Sequence, residues 1–237
     1  MTNIEMDHHS HWGSVARLRA AFAEFAEGAG EVVEFDADSP GPAGLPLAVP
    51  GRHNLLNARA ALAAAGAAGF EIDAVAAALA DFPGVQRRLE LRGERDGTRV
   101  YDDYAHHPTE VAAALAALRE LRPERLIVAF QPHLYSRTKA FAERFGAALA
   151  AADELVVLDV YPAREQPVGE LAGVSGLDVA RAAADRMGGR PVLWAPTVEA
   201  AREALEDRLG PGRVLATVGA GDVFRVADEL LAGAPAR

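Results

Sequence analysis

The chain has 237 residues, of which 50% are hydrophobic and 6% aromatic, with a net charge of −10 and no cysteine. That length and apolar content can bury a core in one large domain or two small ones, which excludes a disordered tail. The acidic balance leaves no broad cationic surface for nucleic acid or anionic lipid, and the lack of cysteine excludes disulfides, thiolate nucleophiles and zinc–thiolate centres.

The chemistry therefore falls to histidine, carboxylates, hydroxyls or a bound nucleotide, and the expected ligand is a small anion in a pocket. No basic segment followed by an apolar run opens the chain, and no stretch of about 20 uninterrupted apolar residues is present to span a bilayer. A cytoplasmic protein without membrane contact is expected.

From the amino terminus, "TNIEMD" reads as the tail of a strand and residues 15–26 as a helix. "EVVEF" and "LPLAV" read as two short strands around the turn-rich surface loop "DADSPGPAGLP", and residues 55–68 and 72–82 as helices. Pro83 and Gly84 then interrupt the helical pattern, which places a domain boundary near "FPGVQRR".

Beyond that point the pattern is regular. "RLELRGERDGTRVYDD" predicts a hairpin turning at Asp96 and Gly97, a pair that tolerates positive φ. Helices are predicted over 111–121, 139–151, 177–187, 198–209 and 223–231, alternating with strands over 126–130, 155–160, "PVLW" and 214–218. Strands apolar on both faces and separated by helices describe an α/β fold whose mostly parallel sheet is covered on both sides. In such a sheet ligands sit beyond the carboxyl ends of the strands.

Several stretches fall at those ends. "DDYAHHPTE" (102–110) suits a capped helix start with exposed histidines, since Pro108, Thr109 and Glu110 all fit a first turn. It equally suits a polar rim in which Asp102 or Asp103 takes ribose hydroxyls or an ammonium, while His106 or His107 holds a carboxylate or accepts a proton. "FQPHLYSRT" (130–138) leaves the next strand with His133 and Arg137 four residues apart, and reads either as a solvated loop or as an anion-seeking one. In "NIEMDHHSH" one residue suffices to help hold magnesium, against frayed histidines or an adventitious metal site. "PGRHNLLNA" sets Asn54 and Asn57 on one helical face, where paired amides can read adenine, although capping by Asn54 is the commoner explanation. Arg87 and Arg88 mark the boundary and, read alone, are a solvated pair. "GAGD" (219–222) follows the last strand without the full dinucleotide glycine spacing and reads as a strand-to-helix turn.

The order of "TNIEMDH", "PGRHNLLNA", "QRR", "DDYAHHPTE", "FQPHLYSRT", "VYPAREQP" and "GAGDVF" is specific, and together they resemble the UDP-N-acetylmuramate:L-alanine ligase family of Mur ligases over nearly the whole chain. The resemblance implies ATP-dependent addition of L-alanine to UDP-N-acetylmuramate in peptidoglycan synthesis, through an acyl phosphate, with ATP and Mg2+ as cofactors. It also implies that residues 85–237 are a Rossmann-like carboxy-terminal domain and residues 1–84 the incomplete end of a central ATPase domain. By matching position, it assigns His8 to magnesium. Asn54 and Asn57 match adenine contacts, and Arg88 (or Arg87) and Asp103 match groups near the nucleotide phosphates and ribose. Tyr104, His106, His133 and Arg137 match the pocket for the amino acid and acyl phosphate. Two departures stand out. Leu134 occupies a position where the family often has a second basic residue, which shifts anion binding onto Arg137. No "GxxGK[ST]" occurs, so the phosphate cradle is missing, and the chain reads as a fragment inactive alone whose partner is the missing amino-terminal half. The rival readings are a ligase that reattaches recycled tripeptide to the same UDP sugar, a non-catalytic nucleotide or amino-acid binding module, and an unrelated Rossmann-like domain.

Overall fold

In a computed structural model, residues 1–7, 9–35 and 45–233 are described. The chain divides into two compact units, Met1–Gly84 and Val85–Arg237.

The described part of the first unit is helical: α1 (His9–Trp12), α2 (Val15–Glu27), α3 (Arg52–Ala67) and α4 (Ile72–Ala80). Ser14 starts α2 by accepting the Arg17 amide at 3.3 Å, an N-cap satisfying one of the amides left over at a helix start. Helix α3 begins at Arg52, earlier than the periodicity suggests, so Asn54 sits inside its first turn and donates to the Pro50 carbonyl at 2.7 Å. Asn54 is therefore not the N-cap, a position held by Gly51 at φ 98°.

The strands expected at "TNIEMD", "EVVEF" and "LPLAV" are not formed among the described residues. The Met1 ammonium donates to Val33 O at 2.6 Å, and Phe35 N–H donates to Met1 O at 2.9 Å, but two bonds do not make a ladder. A strand exists through its neighbour, and these short apolar runs lack a continuous one here. The loop expected over "DADSPGPAGLP" lies largely outside the described residues.

The second unit is a three-layer α/β fold built on one six-stranded sheet, in the order β1-β2-β6-β3-β4-β5. Strands β1 (Glu90–Arg95) and β2 (Thr98–Asp103) form the expected hairpin, with Asp96 at φ 52° and Gly97 at φ 79°. Positive φ at both central residues is the turn whose twist matches two antiparallel strands. The remaining strands, β3 (Arg125–Phe130), β4 (Glu154–Val157), β5 (Val192–Trp194) and β6 (Arg213–Val218), run parallel to β2. Alternate residues of β3 part to opposite faces. Leu126, Val128 and Phe130 join the core under α5 (Pro108–Glu120), α6 (Tyr135–Leu149) and α7 (Gly176–Met187); Ile127 and Ala129 join the one under α8 (Val198–Glu206) and α9 (Phe224–Ala232). A two-residue period buried on both faces is why these strands read as unbroken apolar runs.

Close approach decides two glycines. A Cβ on Gly146 of α6 would lie 2.5 Å from the Ala182 carbonyl carbon of α7, and one on Gly176 would lie 1.9 Å from Leu158 O. Gly146→Ala is expected to destabilise the second unit by about 1–3 kcal/mol in urea unfolding, the cost of overpacking a close helix pair. Hydrogen exchange should also separate the units. Among the described residues of the first, Leu18, Ala58 and Leu62 are the buried hydrophobics, Phe25 and Phe70 are 81% and 65% exposed, and α4 has no buried residue. Amides of α2–α4 are expected to exchange well before those of β3 and β6, and equal protection would contradict the assignment.

Candidate functional site

The carboxyl ends of β2, β6, β3 and β4 lie side by side, and the segments leaving them carry the polar residues singled out by sequence. The first feature is a buried clamp. Asp102 is fully buried; its Oδ2 accepts Arg87 Nε at 2.8 Å and its Oδ1 accepts the Thr217 hydroxyl at 2.6 Å. Arg87 Nη2 also donates to the carbonyls of Gly219 and Gly221, at 2.8 and 3.3 Å, while the guanidinium lies over the rings of Tyr104 and Phe224 at 4.9 and 4.7 Å. Thus Asp102, a candidate for ribose or ammonium from its position on the chain, is an internal strut: burying a carboxylate requires a paired cation and filled lone pairs. Arg88 stays exposed, 5.7 Å from the Tyr104 ring centroid.

Asp103, one residue on, accepts the Leu89 amide at 2.8 Å and the Ala105 amide at 2.7 Å. Burial pushes its carboxyl above the ordinary range, against the downward pull of those amides and of Arg88. Two amides use about half of a carboxylate's acceptor capacity, so a sugar hydroxyl can still be taken.

Helix α5 is capped as "DDYAHHPTE" predicts. His107 is the N-cap, its Nδ1 accepting the Thr109 amide at 3.4 Å, while Glu110 reaches back to the amides of His106 and His107 at 3.0 and 3.3 Å. This is a reciprocal capping box. His107 is 6% exposed and meets Phe141 edge-on, so the expectation of exposed histidines fails there: His107 is structural, whereas His106 is half-buried with 22% of its side chain exposed. His106 Nδ1 lies 2.9 Å from the Tyr104 carbonyl oxygen and 3.5 Å from Glu110 Oε2.

Across from it, His133 is stacked on Tyr161, with ring centroids 5.6 Å apart and planes 12° from parallel. The two rim imidazoles are 6.1 Å apart. Arg137 is 4% exposed and sits in the first turn of α6, not on a loop as "FQPHLYSRT" suggested; its Nη1 is 3.2 Å from His133 Nδ1. The helix starts early because Leu134 adopts φ 70° as its N-cap, a left-handed conformation unusual for leucine, and donates its amide to Tyr161 O. Leu134 is 9% exposed. From the β4–α7 segment, Glu165 accepts the Ser136 amide at 2.9 Å and the Ser136 hydroxyl at 2.5 Å, placing negative charge on the amino end of α6. Burial, then Arg137, then His106 hold the His133 imidazole down at about 4, with Glu165 opposing.

"GAGD" is the tight strand-to-helix turn expected of it. A Cβ on Gly221 would lie 2.3 Å from Gln131 Oε1 and 2.6 Å from Tyr161 Cγ, while Gln131 bridges Asp222 Oδ1 and the Val223 amide. Tyr161, Gln131 and Glu165 were not singled out by sequence reasoning. The signal for two of them was "VYPAREQP" directly after β4, a polar stretch at a carboxyl strand end.

Tyr104, His106, His133 and Arg137 are thus brought together, with Arg88 and Asp103 beside Tyr104. Asn54 is half-buried and Asn57 exposed in the first unit, and His8 lies outside the described residues. Among the described residues no group of three His, Asp or Glu side chains is placed to hold a metal ion, and no helix is long and apolar enough to cross a membrane.

Residues 87–221 match the family described as Mur ligase, glutamate ligase domain. The UDP-N-acetylmuramate–L-alanine ligase of Mycolicibacterium vanbaalenii is 52% identical over 200 residues, 83% of this chain and 40% of that protein. Its namesake in Mycolicibacterium gilvum is 46% identical over 232 residues, 95% of this chain and 47% of that protein. The crystal structure of the Thermotoga maritima UDP-N-acetylmuramate–alanine ligase superposes with a TM-score of 0.72 at 26% identity, covering 95% of this chain and 56% of that one. The chain therefore spans less than half the length of the two curated relatives.

Asp102→Ala leaves the Arg87 guanidinium without its buried counter-ion and is expected to cost roughly 3–5 kcal/mol in urea unfolding. His133 should stay neutral in NMR titration down to about pH 5. Its folded value of about 4 lies below the ordinary 6.5, so the unfolded chain binds the proton more tightly. Its contribution to stability is complete above about pH 6.5 and is lost as the pH falls toward 4.

Proposed function

The chain belongs to the Mur ligase family, and from that premise we propose that it is the carboxy-terminal portion of an ATP-dependent ligase that joins L-alanine to UDP-N-acetylmuramate in the cytoplasm, for peptidoglycan synthesis. The observation that carries the reading is the Arg137 guanidinium flanked by two imidazoles. Arg137, buried in the first turn of α6 with His133 against it, and His106 opposite, form a site for a small molecule bearing a carboxylate and an amine, next to a second anionic group. Residues Val85–Arg237 are the Rossmann-like domain of that enzyme, and residues 1–84 the end of its ATPase domain.

In this reading Arg137 takes anionic oxygen from the amino-acid carboxylate or the acyl phosphate, which a guanidinium fork does well when desolvated. Tyr104 walls the pocket. Arg88, exposed because Arg87 does the structural work beside it, is available to nucleotide phosphate, and Asp103 to ribose. Asn57, exposed, and Asn54, whose amide uses one donor on Pro50 O, have the donor and acceptor set that adenine requires. His8 would hold magnesium, which offsets phosphate charge. ATP supplies the phosphoryl group that activates the muramyl carboxylate. Leu134 is buried and apolar, which leaves the anion to Arg137. The phosphate cradle would come from the other portion of the enzyme.

The test is a chimera in which this chain replaces the matching region of the Mycolicibacterium vanbaalenii relative. Phosphate release from ATP with Mg2+ is expected to need both UDP-N-acetylmuramate and L-alanine, and Arg137→Ala is expected to lower kcat/KM for alanine by about 100-fold or more. The chain alone should release none. Turnover indifferent to alanine, or full activity from the isolated chain, would overturn the proposal.

A further inference from the structure

The two rim histidines make different hydrogen bonds through the same ring nitrogen. His133 Nδ1 lies 3.2 Å from Arg137 Nη1. A guanidinium has five N–H donors and no acceptor, so a bond at that distance requires the lone pair to be on Nδ1 and leaves the proton of the neutral ring on Nε2. His106 Nδ1 lies 2.9 Å from the Tyr104 carbonyl oxygen, with the Glu110 carboxylate at 3.5 Å. Those partners have no proton to give, so Nδ1 carries the proton and Nε2 keeps the lone pair. Ring stacking on Tyr161 and the T-shaped contact of Tyr104 with His106 hold both planes in place.

We infer that His106 and His133 are locked in opposite tautomers and divide the work of the proposed site, His106 accepting a proton from the incoming amine through Nε2 and His133 donating a hydrogen bond to a substrate anion through Nε2. This rests on the ligase reading for the identity of the substrate, but the tautomers do not. The environment of each ring fits its task. His106 presents Nε2 to the rim while its Nδ1 side is occupied by the Tyr104 carbonyl and the Glu110 carboxylate. His133, against Arg137 and held neutral at physiological pH, is a poor base and a lasting donor. The other charged groups acting on His133 are Glu165 and Arg164.

The α-ammonium of the amino acid gives one proton to His106 Nε2, and the freed nitrogen lone pair forms the C–N bond at the acyl-phosphate carbonyl. That carbon passes through a tetrahedral oxyanion, and its bond to the phosphate oxygen breaks with the electron pair leaving on phosphate. The second nitrogen proton goes to the departing phosphate, and His106 returns its proton to solvent. His133 N–H and Arg137 face the negative charge that this sequence develops or releases.

The decisive experiment is long-range proton–nitrogen NMR of the imidazole rings in the intact chain, uniformly labelled with nitrogen-15, at pH 8 without substrate. His133 is expected to show a protonated Nε2 and a bare Nδ1, and His106 the reverse, with His133→Gln and His106→Gln samples giving the assignments. The same tautomer on both rings, or the two exchanged, overturns the inference. In Arg137→Met, His133 is expected to move toward the mixed tautomers of free imidazole, and an unchanged ring would overturn the role given to Arg137. In the alanine-dependent chimera, His106→Gln is expected to lower kcat by about 100-fold or more, the usual share of a positioned base. His133→Gln, whose amide donates from near the Nε2 position, is expected to retain more activity than His133→Asn; equal loss would overturn the donor assignment. Failure of the ligase reading would show separately, as a wild-type chimera that releases no phosphate in response to alanine.

Discussion

The ion pair between Arg87 and Asp102 is the constraint on which the geometry of the rim depends. One fully buried carboxylate on β2 binds the segment entering the domain, the hydroxyl of Thr217 on β6 and, through Arg87, the carbonyls of the turn that follows β6. Neither charge is tolerable in that place without the other. The paired guanidinium lies against the rings of both Tyr104 and Phe224, and Tyr104 in turn meets His106 edge-on. Arg87 also spends its charge internally, which is why Arg88 is the neighbour left to solvent.

A second constraint is backbone strain gathered at the same end of the sheet. Of the six described non-glycine residues with positive φ, Asp96 and Arg122 lie elsewhere, while Arg87, Leu89, Leu134 and Ala163 flank the clamp, the start of α6 and the segment after β4. Such conformations persist where the surroundings over-determine them, and they cluster where side chains must be aimed. Leu134 is the plainest case: its conformation turns the chain sharply enough for α6 to begin at once, and this is what puts Arg137 within a helical turn of His133.

Much of the second domain was legible in the sequence because its signals are local. Unbroken apolar strands, Asp96-Gly97 between them and Pro108 at a helix start each follow from the physics of a few adjacent residues, and the strands, hairpin and helices fall where those signals put them to within a few residues. The helix starts of α3 and α6 were misplaced because a cap can be made by an unusual backbone angle at Gly51 or Leu134, which apolar periodicity does not register. In the first unit the strand readings failed because an extended run becomes a strand only by pairing, a non-local matter. The site was legible in composition but not in roles. Asp102 and Asp103 are adjacent and chemically the same, and only burial tells strut from rim; His106 and His107 divide in the same way between the rim and a helix cap. Tyr161 and Glu165 act through Arg137's helix and His133's ring, contacts bridging some thirty residues of chain that spacing cannot reveal.

The outer strands of the sheet carry one further implication. Strand β1, "ELRGER", is charged at four of six positions and breaks register between Leu91 and Gly93, while β5 at the opposite side has three residues. A bulged, charged border and a very short one are poor templates for another extended chain. Such borders disfavour fibril-like stacking of the Rossmann-like domain through its sheet edges. Crowded synthesis should accordingly threaten the first unit, with its bare phenylalanines, sooner than the sheet.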